Sequence, residues 1–185
     1  DYAGALADAR AARRKRPVSA LILEAEALRN LGREREALSA AARACALEPG
    51  RAWAWVVRAK AALQDGDAIA ARGFCDRALR LDATDAKALG WRAWAHIRLG
   101  AAKRARGDAR LARALSPDTA WLLAAEAETS RALGDHSAAR RLMSEAVRLD
   151  PRCSCAYDIL GDEPDSVRDD RFLAWVYAWS AASQR

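Results

Sequence analysis

Histidine, proline, methionine and long apolar runs are all scarce in this 185-residue chain, and each shortage closes off a class of protein. No stretch approaches the ~20 uninterrupted apolar residues that span a bilayer, so a soluble chain is expected. The two histidines, His96 and His136, stand alone on helix-like segments, and there is no G-x-S-x-G, Gly-rich phosphate loop or H-E-x-x-H. Catalysis, a metal and a cofactor are therefore not expected, and the chain reads as a non-enzyme or as the non-catalytic module of a larger one. Cys45, Cys75, Cys153 and Cys155 lack C-x-x-C spacing, which argues against a zinc site or a disulfide framework and favours a reducing, cytoplasmic compartment. Neither an initiator Met nor a signal peptide precedes Asp1, so the expectation is a piece of something longer.

What is present is alanine, leucine and arginine, with few threonines or isoleucines and five prolines, a composition that favours helix over strand. At 52% hydrophobic and 30% charged, the chain suits one ordinary domain or a short repeat array. The formal charge of +6 is a modest hint of an acidic partner.

Internal similarity decides the fold class. Gly32, Gly66, Gly100 and Gly134 recur every 34 residues, as do Leu47, Leu81, Leu115 and Leu149. Alanine columns fall in the same frame: 25/59/93/127, 37/71/105/139 and 44/78/112/146. Pro49, Pro117 and Pro151 form another, with Ala83 in the remaining unit. Each column has a physical role: glycine turns the chain after a first helix, alanines let two antiparallel helices approach, leucine closes the seam to the next unit, and proline stops the second helix. One unit cannot bury its apolar face alone, so the units stack.

These columns resemble the tetratricopeptide repeat (TPR), a 34-residue helix-turn-helix. The endings "ACALEP", "ALRLD" and "AVRLDP" are similar to the family's second-helix terminus. The resemblance implies an all-α solenoid, a right-handed superhelix, with units 18–51, 52–85, 86–119 and 120–153. Residues 1–17 resemble the second helix of a preceding unit, with a loop two residues shorter because Pro17 precedes Pro49 by 32. Residues 154–185 read as a partial fifth unit and a C-terminal capping helix, where Phe172, Trp175, Val176 and Trp179 keep helical spacing. First helices are expected near 19–31, 52–64, 86–98 and 119–132, second helices near 35–47, 67–81, 102–115 and 136–149. One column departs from the family's apolar residue: Glu24, Arg58, Arg92 and Glu126. Either neighbouring units pair them, Glu24 with Arg58 and Arg92 with Glu126, or each reaches solvent past its apolar stem.

The first helices of such arrays line a concave groove that takes ligands. Carried onto this chain, the groove positions are Trp53, Val56, Val57 and Lys60, then Lys87, Gly90, Trp91 and Trp94, then Trp121, Ala124, Ala125 and Glu128. The candidate partner-binding residues are Trp53, Val57, Lys60, Lys87, Trp91, Trp94, Trp121 and Glu128, because wet tryptophans mark interaction surfaces. Gly90 would leave room for an entering side chain. TPR proteins that grip the C-terminal carboxylate of heat-shock chaperones use Lys and Asn, then Asn, then Lys and Arg on successive first helices. Here those places hold Ile22 and Glu26, Val57, and Lys87 and Trp91, or one unit on Val56 and Lys60, Trp91, and Trp121 and Ala125, so that mode is not expected.

Charge gathers in the third unit, with eight Lys and Arg against two Asp. Its second helix carries Lys103, Arg104, Arg106, Arg110 and Arg113 on the convex side, a basic patch that reads first as a solvated face and second as a contact for an acidic protein or nucleic acid. No aromatics interleave there for base stacking, so nucleic acid is disfavoured. The expectation is a protein-interaction scaffold whose Trp-lined groove binds a segment with bulky apolar side chains. Two alternatives remain: a TPR part packing on its own catalytic domain or a sister subunit, and a sensor with Trp91, Trp94 and Trp121 as an aromatic box.

Overall fold

A computed structural model describes residues 1–150; the fifth-unit and capping-helix expectations for 154–185 lie outside the described residues. Among the described residues there are helices and turns and no strand: α1 (Tyr2–Ala12), α2 (Pro17–Asn30), α3 (Glu34–Leu47), α4 (Ala52–Gln64), α5 (Ala68–Leu81), α6 (Ala86–Arg98), α7 (Ala102–Leu115), α8 (Ala120–Ala132) and α9 (His136–Leu149). Each pair α2/α3, α4/α5, α6/α7 and α8/α9 is one helix-turn-helix unit, and α1 packs on α2 as a second helix packs on the next first helix. The first helices α2, α4, α6 and α8 touch in succession and form one layer, with the second helices behind it. No described helix is long and apolar enough to cross a membrane.

The turn inside each unit follows from its glycine. Gly32, Gly66, Gly100 and Gly134 all adopt positive φ, between 70° and 88°, a region that costs a Cβ-bearing residue. The residue after each glycine donates its backbone N–H five residues back, as in Arg33 to Leu28 (2.9 Å) and Ala101 to His96 (2.8 Å). That closes the carbonyls left open at the first helix's end. Asp67, Asp85 and Asp135 then cap α5, α6 and α9 by accepting backbone N–H groups of the first turn.

Alanine columns fill the space between paired helices: Ala37, Ala71 and Ala105 are fully buried, as are Ala44, Ala78, Ala112 and Ala146. Their small volume permits the close helix approach, and larger side chains at the flanks, such as Leu21, Leu28, Leu122, Leu123 and Met143, complete the core. Two expectations change here. Pro17 does not end the helix before it but opens α2, where its missing N–H has no ladder bond to lose. The leucine column does not plug the seams: Leu47, Leu81, Leu115 and Leu149 are 41–57% exposed, because each is the last residue of its second helix and stands at the edge of the stack.

The charged column behaves differently from both readings of it. Glu24 is buried and is paired with Arg10 (3.2 Å) and Arg13 of α1. Glu126 is also buried and is paired with Arg110 (3.7 Å) and Arg113 (2.7 Å) of α7. Arg92 reaches α5 and α7 at once, donating to Asp76 (2.9 Å) and, through two nitrogens, to Asp108 (2.7 and 2.8 Å). The Arg58 guanidinium lies 4.2 Å over the Phe74 ring and 5.8 Å from that of Trp55. The column therefore does not pair within itself: each member points into the second-helix layer, where 34-residue stacking puts a flanking second helix within reach, and Arg58 and Arg92 stay partly exposed as they do so.

Candidate partner-binding face

Helical spacing puts Trp53 and Lys60 on one face of α4, and Lys87, Trp91 and Trp94 on the corresponding face of α6. Trp121 and Glu128 follow on α8. Stacking of the first helices brings these faces side by side, and the four indoles are half-buried. Trp91 and Trp121 stack with ring centroids 5.0 Å apart and planes inclined by 22°, the offset geometry aromatic pairs prefer. Trp91 also packs against the cluster of Ala62, Leu63, Ala71 and Ala95, and Trp94 lies against both that cluster and the one around Leu123 and Met143.

Two ammonium groups sit among the rings. Lys60 Nζ is 5.7 Å from the Trp53 centroid and 5.6 Å from that of Trp91, and it is bonded to Glu26 on α2 at 2.8 Å. Burial pulls the Lys60 pKa down, and the contact with Glu26 opposes that shift. Lys87 Nζ is closer still to Trp53, at 4.6 Å, yet its side chain is exposed. Among the described residues no carboxylate pairs with it. A row of groups thus crosses the first-helix layer: Glu26, Lys60, Trp53 with Lys87, then Trp91 and Trp121.

Some candidates are not available to a partner. Val57 is 1% exposed and belongs to the core with Ala54 and Ala61: it shares the face of Trp53 and Lys60, but its short side chain is covered by its neighbours, and Trp53 packs against the same cluster. Glu128 is buried and its two oxygens accept from Arg131 at 2.6 and 2.8 Å. The space at Gly90 is closed rather than open: a Cβ built there would lie 2.4 Å from Leu122 and 2.7 Å from the Trp121 ring. Trp121 has filled the notch that α6 leaves. With that ring stacked on Trp91, no slot remains between the two for a small molecule.

The convex patch is also altered by its surroundings. Lys103, Arg104 and Arg106 are exposed, but Arg110 and Arg113 are committed to Glu126. Arg106, Arg110 and Arg113 line a cavity of about 540 Å³ whose wall includes the acids Asp135 and Glu145, so the surface is mixed in sign rather than a basic stripe. Sequence reasoning did not foresee Arg131 or Asp108 as the partners of Glu128 and Arg92. The spacing Glu128-x-x-Arg131 was a usable signal; the long-range Arg92–Asp108 pair had none beyond the register itself. Among the described residues no group of His, Cys, Asp and Glu is placed to hold a metal ion.

No family model and no curated protein matches the chain. Solved structures do. A thermophilic TPR protein of Thermus thermophilus, TTC0263, superposes with a TM-score of 0.75 at 22% identity over 84% of this chain and 87% of that one. The fold is that of a TPR solenoid. Cut9, in the Cut9–Hcn1 hetero-tetramer of APC/C, matches with a TM-score of 0.73 at 16% identity over 82% of this chain, which spans 29% of Cut9's length. The first TPR of Spaghetti (RPAP3), solved with the HSP90 peptide SRMEEVD, matches with a TM-score of 0.59 at 20% identity over 63% of this chain and 93% of that one.

Proposed function

We propose that this TPR array is a protein-interaction scaffold, and that its first-helix layer binds a partner segment carrying bulky apolar side chains across Trp53, Trp91, Trp94 and Trp121. The observation that carries the reading is the half-buried indole row, with Trp91 and Trp121 stacked across α6 and α8. Ring edges and faces left wet on a rigid layer are prepared contact surface, since little conformational entropy is lost when they are covered. The RPAP3 repeat, with its bound peptide, is a protein of similar fold that holds a peptide. At the places where TPR proteins that grip a terminal carboxylate carry their donors, this chain has Ile22, Glu26, Val57 and Trp91 beside Lys87, so recognition of a different kind is proposed for it.

The test is differential capture. The full chain, a Trp91→Ala/Trp94→Ala variant and a Lys103→Gln/Arg104→Gln variant are used as bait in native lysate, and a protein retained by the parent is then titrated against all three. Loss with the tryptophan variant alone, on the order of 2 kcal/mol, supports the groove. Retention by the tryptophan variant together with loss by the Lys103/Arg104 variant would place binding on the convex side instead.

A further inference from the structure

Where the aromatic row meets the edge of the array there is a cavity of about 390 Å³, lined by Trp53 of α4, Thr84 and Asp85 before α6, Lys87 on its first turn, and Leu115 and Ser116 at the end of α7. It lies at one end of the proposed groove but is not built like the rest of it. We infer that this cavity anchors an acidic side chain, Glu or Asp, of the same partner segment whose apolar residues cover the tryptophans. This inference rests on the groove reading and adds to it the partner's charge and its place.

The donors and acceptors of the wall decide the ligand's sign. The Lys87 ammonium is exposed, is held 4.6 Å over the Trp53 ring and has no carboxylate partner among the described residues. The Ser116 hydroxyl makes no hydrogen bond to another described residue. Of the acid on the wall, Asp85 Oδ1 accepts the backbone N–H of Lys87 (2.9 Å) and of Ala88 (3.1 Å) while Oδ2 stays open among the described residues, and the Thr84 hydroxyl spends its donor on Asp82 (2.8 Å). The charged donor left open on this wall, the Lys87 ammonium, suits a ligand that accepts. Cations are disfavoured for a second reason, because the Trp53 ring already has the ammonium groups of Lys60 and Lys87 near it.

The same geometry favours a single negative charge over a double one. One ammonium is unpaired here, whereas Lys60 is committed to Glu26. Asp85 keeps its own charge on the wall, partly offset by the start of α6 that it caps. A carboxylate matches that balance, while a phosphorylated side chain would meet Asp85 with an excess. Cation–π contact with Trp53 also restrains the Lys87 side chain before anything binds, so less freedom is lost on forming the ion pair.

The probe is a random 12-residue peptide library displayed on phage, selected in parallel against the full chain and its Lys87→Gln and Lys87→Arg variants. Lys87 is exposed, so both variants are expected to fold, and thermal melts by circular dichroism check this. Selected clones are then titrated as blocked synthetic peptides with their acid as Glu or as Gln. The expected result is enrichment of Asp or Glu within a few positions of Trp, Phe or Leu on the parent. That acid is lost from the Lys87→Gln pool and kept in the Lys87→Arg pool, and Glu→Gln in the peptide weakens parent binding on the order of tenfold, less at high salt. Apolar clones without acid enrichment, still lost on Trp91→Ala, would overturn the acidic anchor and leave the groove standing. So would acid enrichment that Lys87→Gln does not change. Clones indifferent to Trp91→Ala, or no clones at all, would overturn the groove and this inference with it.

Discussion

Two cations in the third unit, both on α6, meet opposite fates. Arg92 points into the second-helix layer and is held by Asp76 on one side and Asp108 on the other, its side chain a quarter exposed. Hydrogen bonding to Asp108 pushes its pKa up, with Asp76 adding to the effect and burial opposing it. Lys87 points to the first-helix face, rests on an indole and has no carboxylate partner among the described residues. Arg92 is neutralised inside the array, and Lys60 on the first-helix face is neutralised by Glu26, whereas Lys87 is not. Glu24 and Glu126 are likewise each closed off by two arginines, and on the proposed reading Lys87 is the charge that meets a partner.

The strongest way to break that comparison is to remove Arg92. Arg92→Leu leaves Asp108 and Asp76 facing an apolar side chain. A buried pair broken on one side is costly, and partial exposure here reduces the figure to about 2–4 kcal/mol, read from urea denaturation. Adding Asp108→Leu is expected to recover much of the loss, since removing both partners removes the stranded charge. If Arg92→Leu melts like the parent, the seam is not held by this ion cluster.

Next in size is the alanine packing on which both faces depend. Ala71 and Ala105 are fully buried between paired helices. Replacing Ala105 with Leu forces α6 and α7 apart and should cost about 1–3 kcal/mol in the same denaturation experiment. A variant of unchanged stability would show that the two helices have slack there.

The repeat and its register were legible because four glycines and a dozen alanines recur at one spacing, and both residue types have a backbone or volume reason to sit where they do. Legibility ended at side chains whose partners come from another element. Glu24 and Glu126 announced themselves as departures from an apolar column, but only three dimensions show arginines of α1 and α7 closing on them. Val57 and Trp91 occupy equivalent positions, 34 residues apart, yet one is core and the other half-exposed. Side-chain size separates them, for an indole cannot fit where a valine is enclosed. Gly90 misled for the mirror-image reason: a missing Cβ reads as space in one helix until Trp121 of another fills it.

A smaller effect tests the buried cluster by pH. His96 is buried with Nε2 3.8 Å from Asp108. Burial lowers its pKa below the usual histidine value, Asp108 works against that shift, and Arg92, Arg104 and Arg72 reinforce it. In the unfolded chain His96 takes up its proton at the ordinary value, so between the depressed folded pKa and about 6.5 the unfolded state binds more protons. Stability from this residue is therefore present above about pH 6.5 and falls as acid is added. Urea melts at about pH 7.5 and about pH 5.5, on either side of the ordinary histidine value, should show a smaller difference in His96→Gln than in the parent. An equal or larger difference in the variant would mean that His96 is protonated in the folded state as well.

The smallest expected change in stability is also the most direct probe of the aromatic row. Gly90→Ala gains about 1 kcal/mol in helix propensity within α6. Against that, the new Cβ would fall 2.4 Å from Leu122 and 2.7 Å from the Trp121 ring, so both must shift, at about 1–2 kcal/mol. The two effects nearly cancel, and the denaturation midpoint should move little. The stack should not survive unchanged, because Trp121 cannot retreat from Gly90 and keep its ring 5.0 Å from Trp91. Near-ultraviolet circular dichroism, which is sensitive to coupled indoles, should therefore change in Gly90→Ala while the midpoint holds. A spectrum identical to the parent's would mean that Trp121 does not rest in the Gly90 notch in solution, and that the notch is open to a partner's side chain after all.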